Sequence, residues 1–247
     1  MIHYHGGPIT PDTCAIKVWT ARHAFVSFAA TQQMNLAAEV AQSFALDNGA
    51  FTFWKQGLGT RWSDFYDWVS VWCTHPGFDF AVVPDVIDGT EEENDQLAAK
   101  WPFPKHQAAV VWHINESFDR LQRLAREWPR VCIGSSGEWD VSSPKKFLER
   151  ANPAIAAICD DYGRPICKLH GLRMLNPVIF SKLPLASADS TNVARNIGID
   201  SAWRGTYQPK SKETRAVILT ERIESYNSAG SINQLADSAS TKEVIEQ

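Results

Sequence analysis

The chain has 247 residues, enough for one large domain or two small ones with a full hydrophobic core. Hydrophobic residues make up 44% of it and charged residues 21%, which is typical of a globular protein. The net charge of −4 excludes a uniformly basic nucleic-acid-binding protein, although it still allows a local basic groove.

The cysteines and the start of the chain indicate the compartment. The cysteines form no CxxC pair, and their spacing in a chain of this length predicts no disulfide framework. The first ten residues lack a charged segment followed by an apolar one, so we expect no signal peptide. No apolar run approaches the roughly 20 residues of a membrane span. We therefore expect a soluble, cytoplasmic protein with no membrane partner. The cysteines are Cys14, Cys73, Cys132, Cys159 and Cys167.

Short apolar runs that end in polar or glycine-rich turns recur along the chain and predict strands. Stretches with helical periodicity lie between most of them, and this alternation predicts a parallel sheet. Eight strands in roughly 190 residues predict an α/β protein with a compact, single-domain (β/α)8 barrel. A doubly wound open sheet is the alternative, but no GxGxxG follows the first strand. The predicted strands are 2–5, 24–28, 44–46, 80–83, 109–113, 131–133, 166–169 and 185–188.

Three of the intervening segments have clear helix signals. Acidic residues at the start of 91–101 suit a helix N-terminus, and 116–128 has an apolar face. Segment 144–159 begins with SSP, which favours a helix start, and Pro153 is expected to kink or interrupt that helix. The apolar face of 116–128 consists of Phe118, Leu121, Leu124, Ala125 and Trp128.

The C-terminal part of the chain predicts a closing helix followed by a tail. Residues 212–226 place Ala216, Leu219, Ile223 and Tyr226 at helical spacing, so residues 1–226 are expected to form the barrel. Residues 227–247 are polar and are expected to fray.

A polar residue stands at nearly every predicted strand end. One such residue would be explained as a helix cap, but the repeated pattern is more than capping accounts for. In a (β/α)8 barrel these positions converge on the face that carries the active site. The residues are His3, His5, Asp47, Asp85, Asp88, His113, Glu116, Gly134, Ser135, Ser136, Gly137, His170, Gly171 and Asp189.

One interpretation of this set is a metal-dependent hydrolase. His3 and His5 on the first strand, His113 on the fifth and Asp189 on the eighth resemble the metal-binding pattern of amidohydrolases, and these ligands suit zinc. Against it, His170 falls on the seventh predicted strand instead of the sixth. The fourth strand also lacks a bridging lysine or glutamate. Hydrogen-bonded or solvent-facing histidines on a terminal strand are the structural alternative for the first pair.

A second interpretation rests on LDNGAF (46–51) and DSTNVARN (189–196). Here the chain resembles the tRNA-guanine transglycosylase superfamily, especially its shorter phage and bacterial relatives that insert 7-deazaguanines into DNA. Asp47 to Phe51 match the family's DSGGF-type motif, and Asp189, Arg195 and Asn196 match its D-x5-R-N segment. IGSSGE (133–138), VVPDVIDG, VWHINES, KLHGLRML and SADST extend the likeness over residues 1 to about 200.

The resemblance implies a barrel and a role for each matched residue. Asp189 would be the nucleophile, Asp47 the acid/base partner, and Asp85 the reader of the guanine edge. Phe51 would stack on the base with Leu172 or Met174 opposite, and Arg195 would hold Asp189 ionised or bind a phosphate. Backbone N–H groups of 134–137 would hold the base carbonyl. The other substrate-binding candidates are Asn48, Gly134, Ser135, Ser136, His113, His170, Gly171 and Asn196.

The chain also departs from that family. The tRNA enzymes carry a C-terminal CxCxxC and a later histidine that bind zinc, and nothing here matches them. We therefore expect DNA as the polymer, with tRNA as the alternative, a free 7-deazaguanine as the second substrate, and neither metal nor cofactor. Five basic residues against two acidic ones over 195–215 predict a phosphate-binding rim. The cytoplasm would be that of a host if the gene belongs to a phage.

Several readings stay open at this point. Asp47 in a DNG sequence is also a turn former, Asp85 after a proline is also a helix cap, and His170 is also a core-rim histidine. A barrel that binds nucleic acid or a nucleobase without catalysis is the non-enzymatic alternative. The oligomeric state is open, with a homodimer among the options.

Overall fold

We analysed a computed structural model, which describes residues 1–135, 137–198, 203–205 and 207–232. In this part of the chain, eight parallel strands pair in sequence order, and the last pairs with the first to close a barrel. The predicted single-domain α/β barrel is confirmed. The strands are β1 Ile2–Gly6, β2 His23–Ser27, β3 Ser43–Asp47, β4 Phe78–Val82, β5 Ala108–His113, β6 Arg130–Gly134, β7 Lys168–Gly171 and β8 Ser187–Ser190.

Helices surround the barrel and follow most strands. Short 3-10 turns occupy Lys105–Gln107 and Gly137–Trp139. The described helices are α1 Asp12–Trp19, α2 Met34–Val40, α3 Ala50–Lys55, α4 Trp62–Trp72, α5 Glu91–Ala99, α6 Phe118–Glu127, α7 Pro144–Ala156, α8 Pro177–Phe180, α9 Asn192–Asn196 and α10 Lys212–Glu224. None of them combines the length and apolarity that a membrane crossing requires.

The strands form where continuous apolar runs can be buried on both faces. All six residues of β5 are buried, as expected for a strand enclosed by the barrel interior and the helices. Tyr4, Phe25, Phe80 and Val111 belong to the inner cluster, and a larger cluster lies between the strands and the helices. Each fully buried large apolar side chain contributes roughly 1.5–3 kcal/mol to folding.

Polar side chains fill the N-terminal end of the barrel. The Tyr4 hydroxyl donates to Asp79, and Arg130 Nη2 lies 3.1 Å from Asp79 Oδ1. The Arg130 guanidinium also lies 4.0 Å above the ring of Phe80. Asp79 reaches this cluster because the β3–β4 register skips it. Inside the barrel, this end is therefore filled by interacting side chains.

The last two strands lie about two residues later than predicted. β7 and β8 end at Gly171 and Ser190, whereas the apolar runs predicted ends at 169 and 188. Leu183 and Leu185 are buried in the segment before β8 and do not belong to it. The prediction was wrong because buried polar residues of the strands were read as turns.

Two helix predictions also need correction. Pro153 does not interrupt α7, which runs on to Ala156, three residues before the predicted end at 159, and the burial of Ala154 and Ile155 supports the last turn. α10 buries Ala216, Leu219 and Ile223 as predicted, but it ends at Glu224. Tyr226 lies beyond it and is exposed.

The first residues of the predicted tail are bonded to the barrel. Ser228 Oγ donates to Leu185 O at 2.7 Å, and Ile232 N donates to Gly163 O at 2.9 Å. The rest of the predicted tail, 233–247, lies outside the described residues.

Candidate active site

A cavity of about 500 Å³ opens at the carboxyl ends of the strands. This is the face that carries the active site in barrels of this class, and the volume is in the range of small-molecule sites. Residues from strand ends and from the following loops form its wall. The predicted site residues on the wall are Asp47, Asn48, Phe51, Asp85, His113, Gly134, Ser135, Asp189 and Arg195.

Asp189 is held in one orientation on β8. It is 5% exposed, and its Oδ1 accepts from Arg173 N at 2.9 Å and lies 3.3 Å from His170 Nε2. Among the described residues, Oδ2 has no hydrogen-bond partner. Donors directed at one oxygen stabilise the negative charge, and the other oxygen is left for a substrate. Asp189 stands within the strand, one residue before its end.

Asp47 is the last residue of β3 and has a different environment. Burial raises its pKa to about 7, the charges of Asp189 and Asp85 add to that rise, and hydrogen bonds from Ser27 and Gly49 N oppose it. A carboxyl group with a pKa near neutrality can both donate and accept a proton at pH 7. The DNG turn therefore places a titrating group on the cavity wall and also connects two elements.

Asp85 is fixed by two polar neighbours. Its Oδ1 accepts from Asn48 Nδ2 at 2.7 Å, and its Oδ2 lies 3.0 Å from His113 Nε2. Burial lowers the pKa of His113, but the Asp85 and Glu116 carboxylates outweigh burial, so that the pKa is raised. Asn48, which stands where the family motif has serine, thus binds a protein carboxylate.

The alternative role of Asp85 as a helix cap is not what the structure shows. The N-terminus of α5 is capped by Thr90 and Glu93 in a reciprocal capping box. Val86 N donates to Asn94 Oδ1 at 2.7 Å. Asp85 instead keeps its carboxylate on the cavity wall.

Phe51 on α3 forms an aromatic part of the wall and carries a cation on its face. The Arg173 guanidinium lies 3.9 Å from the ring centroid, and Arg173 Nη2 donates to Ser135 O at 2.6 Å. Leu172 also reaches the wall, whereas Met174 is fully buried and is not part of it. Arg173 was not among the predicted site residues. It follows the predicted end of the seventh strand, 169, by four residues, so its position in the sequence gave no signal.

The described residues include part of the glycine-rich turn after β6. Gly134 and Ser135 lie on the wall, and the buried Ser135 Oγ has no partner among the described residues. Ser136 lies outside the described residues. Gly137 has a positive φ of 62° at the start of the 3-10 turn.

The predicted basic rim is smaller than its sequence suggests. Arg195 is exposed on α9 and lines the cavity, and it makes no ion pair with Asp189 in the described structure. Arg215 is buried, and its guanidinium donates to backbone carbonyl groups of Ile197 and Pro209. Lys55 and Arg173 supply further positive charge at the cavity.

Three other predicted residues do not line the cavity. Asn196 Nδ2 donates to Asn192 O at 2.8 Å within α9. Gly171 packs closely against Met174 and Leu185, where an added Cβ would come within 3.0 Å of both. His170 is fully buried beneath Asp189, and burial lowers its pKa.

The predicted metal ligands are not brought together. His5 Nε2 lies 2.9 Å from Glu224 on α10, and His3 Nε2 lies 3.1 Å from Tyr226 O. Both histidines therefore contact the C-terminal segment outside the barrel, while His113 and Asp189 line the cavity. No group of three His, Cys, Asp or Glu side chains in the described part of the chain is placed to hold a metal ion.

Comparison of the chain with protein-family models and with curated proteins finds no match to either.

Proposed function

We propose that the protein is a base-exchange transglycosylase that replaces guanine in DNA with a 7-deazaguanine through a covalent glycosyl-aspartate intermediate. The observation that carries the proposal is a pair of carboxylates on one cavity wall in contrasting environments. Asp189 is oriented by donors on one oxygen, and the pKa of Asp47 is raised to about 7. Such a pair suits a nucleophile and a general acid/base.

The first half of the reaction breaks the bond to guanine. Asp189 Oδ2 attacks C1′ of the sugar from the face opposite the base, and the C1′–N9 bonding electrons leave with guanine. Protonated Asp47 gives its proton to the departing base, directly or through a water molecule. The product is an ester between Asp189 and C1′, formed through an oxocarbenium-like transition state.

The second half reverses these roles. N9 of the incoming 7-deazaguanine attacks C1′, and the ester oxygen returns to Asp189 as a carboxylate. Asp47, left ionised by the first step, accepts the N9 proton, so that the enzyme returns to its initial state. A pKa near 7 serves both halves, because the same group must give a proton and take it back.

The wall also supplies recognition groups for a purine. Each oxygen of Asp85 has one neighbour already and retains a lone pair for N1–H and the exocyclic amine of guanine. Phe51 and Leu172 offer apolar surface for the ring. A base in a duplex must leave the stack to reach this cavity, and its pairing edge then becomes readable.

The resemblance to the short relatives that modify DNA supports DNA as the polymer. Lys55, Arg173 and Arg195 lie at the cavity, where they suit the phosphate groups beside an extruded nucleotide, a feature that DNA shares with tRNA.

The test is incorporation of radiolabelled guanine or 7-deazaguanine into duplex DNA, single-stranded DNA and tRNA, run in parallel. We expect label in DNA, none in tRNA, and none with the Asp189→Asn variant. Label in tRNA alone would overturn the choice of polymer. Tight binding of base or DNA without incorporation into any of the three would instead identify a non-catalytic binding barrel.

A further inference from the structure

A hydrogen-bonded chain of three side chains lies beneath the cavity. His170 Nδ1 lies 2.8 Å from Ser187 Oγ, and His170 Nε2 lies 3.3 Å from Asp189 Oδ1. The three residues come from the neighbouring strands β7 and β8, whose register pairs His170 with Ser187. The described structure offers this carboxylate one other donor, the backbone N–H of Arg173.

This arrangement resembles a Ser-His-Asp triad in composition but not in exposure. Ser187 is 2% exposed and His170 is fully buried, and neither lines the cavity. A nucleophilic serine must reach its substrate, so Ser187 has no access to that role. Of these three residues, only Asp189 faces the cavity.

The tautomer of His170 follows from its neighbours. An ionised carboxylate accepts hydrogen bonds only, so Nε2 must carry the proton that it directs at Asp189. Burial lowers the pKa of His170, so the ring is neutral near pH 7 and Nδ1 is bare. Nδ1 then accepts from the Ser187 hydroxyl group.

The ring itself is fixed by packing. It stacks on Phe25 with 5.3 Å between centroids and meets Phe80 edge-on at 5.1 Å. Tyr4 from β1 meets the ring edge-on, and Cys132 from β6 pairs with His170 in register. The charged groups that act on its pKa are Asp189 from β8, Arg130 from β6 and Asp79 from β4, and the charge of Asp189 also acts on Asp47 of β3.

We infer that His170 is a positioning residue. Together with the backbone N–H of Arg173 it hydrogen-bonds Oδ1 of Asp189 and leaves Oδ2 free for C1′, while Ser187 fixes the tautomer of His170. The inference rests on the proposed function for the identity of the attacked atom. The hydrogen-bonded chain itself does not depend on that function.

The kinetic test compares His170→Phe with the wild type. Phenylalanine keeps a ring against Phe25 and Phe80 but removes both hydrogen bonds. We expect the rate of adduct formation and kcat to fall about 10–100-fold, because a misoriented reacting group loses rate on this scale. KM for the free base should change less than twofold.

His23→Phe is the matched control. His23 Nδ1 also lies 2.8 Å from a serine, Ser43, and burial also lowers its pKa, but it lies at the N-terminal end of the barrel. We expect this variant to exchange base at near the wild-type rate. Ser187→Ala combined with His170→Phe removes the unpaired hydroxyl group and serves as the readout if His170→Phe alone does not fold. Wild-type rates in the folded His170 variant would overturn the inference.

A second readout is independent of catalysis. Nitrogen-15 spectra of histidine-labelled protein should show His170 as the Nε2–H tautomer, and Asp189→Asn should lower the pKa of His170 further, since Asp189 raises it. An Nδ1–H tautomer, or a His170 pKa unaffected by Asp189→Asn, would contradict the hydrogen-bonded chain from Ser187 through His170 to Asp189. If the wild type exchanges no base in any polymer, the proposed function fails. These spectra would still show whether the hydrogen bonds between Ser187, His170 and Asp189 form as inferred.

Discussion

Three aspartates face one cavity, and each is held by different partners. Asp189 is bound by donors on one oxygen, Asp85 by Asn48 and His113, and Asp47 has the pKa raised to about 7. Identical functional groups acquire separate tasks in this way, because burial and neighbours decide which form of each group is stable.

The raised pKa of Asp47 predicts a pH-dependent cost in stability. Its folded pKa of about 7 lies above the ordinary value of 3.8, so the folded state binds the proton more tightly than the unfolded state. Stability from this group is full below pH 3.8 and is lost as the pH rises towards 7. Asp47→Asn cannot ionise, so its gain in Tm over the wild type should grow from about pH 4 to about pH 7 and level off above that.

Melting curves of both proteins across that range measure the effect. Asp88→Asn is the control, because Asp88 is exposed on the loop after β4. The Asp47 variant should also lose about 10²–10⁴-fold in exchange rate. A Tm difference that is constant with pH would show that Asp47 does not titrate differently in the folded state.

Asp85→Asn tests recognition of the base. The new side-chain amide would have one acceptor oxygen in place of two, although Asn48 and His113 both direct donors at this position. The N–H groups of a bound guanine would then lose a hydrogen-bond acceptor. An unpaired buried donor costs about 1–3 kcal/mol, so affinity for free guanine should fall at least several-fold. Calorimetric titration measures it, with Asp88→Asn as the control, and unchanged affinity would remove Asp85 from the recognition site.

At the scale of elements, the turn between β3 and α3 positions two site residues at once. Gly49 has a φ of 77°, and an added Cβ would lie 2.9 Å from Ala29 N and from Phe53. Gly57 has a similar φ of 67° but no atom within 4 Å of such a Cβ. The two positions therefore separate backbone strain from steric overlap.

Gly49→Ala should destabilise the protein more than Gly57→Ala does. Both variants carry the strain of a positive φ, about 1–2 kcal/mol, and Gly49→Ala adds the overlap with Ala29. We expect a lower urea midpoint and reduced exchange for Gly49→Ala, because Asp47 and Asn48 must shift with the turn. Equal midpoints for the two variants would mean that the turn relaxes without cost.

Element boundaries were predictable where burial and hydrophobicity agree. β5 and α6 follow their apolar patterns closely, because apolar residues occupy most of the buried positions there; His113 and Arg120 are the buried exceptions. β7 and β8 end later than predicted because His170, Ser187 and Asp189 are polar strand residues with partners that no local pattern reveals. Pro153 lies inside α7 because tertiary packing outweighs the local signal.

At the scale of the whole molecule, the barrel explains why distant motifs meet. The barrel brings Asp47, Asp85, His113 and Asp189 to one face, and the strand ends and motifs together predicted nine of the 25 residues on the cavity wall. Arg173 could not be predicted, because its contact with Phe51 depends on a loop conformation with a φ of 58°.

Arg195→Ala tests the local charge at the cavity. Removing one phosphate contact should weaken DNA binding and reduce the slope of log K against log salt by about one. Arg126→Ala, at an exposed position on α6, is the control. Fluorescence anisotropy at several salt concentrations gives both slopes, and identical slopes for the two variants would exclude Arg195 from the phosphate-binding rim.

The central claim is that Asp189 is the covalent nucleophile, and trapping the intermediate tests it most directly. The enzyme is mixed with DNA and excess 7-deazaguanine, denatured, and analysed for a protein–DNA band whose attachment site is mapped by mass spectrometry. We expect an adduct at Asp189 in the wild type and none in Asp189→Asn, which keeps the size of the side chain but loses its charge. An adduct of normal yield from Asp189→Asn, or one that maps to Asp47, would contradict it.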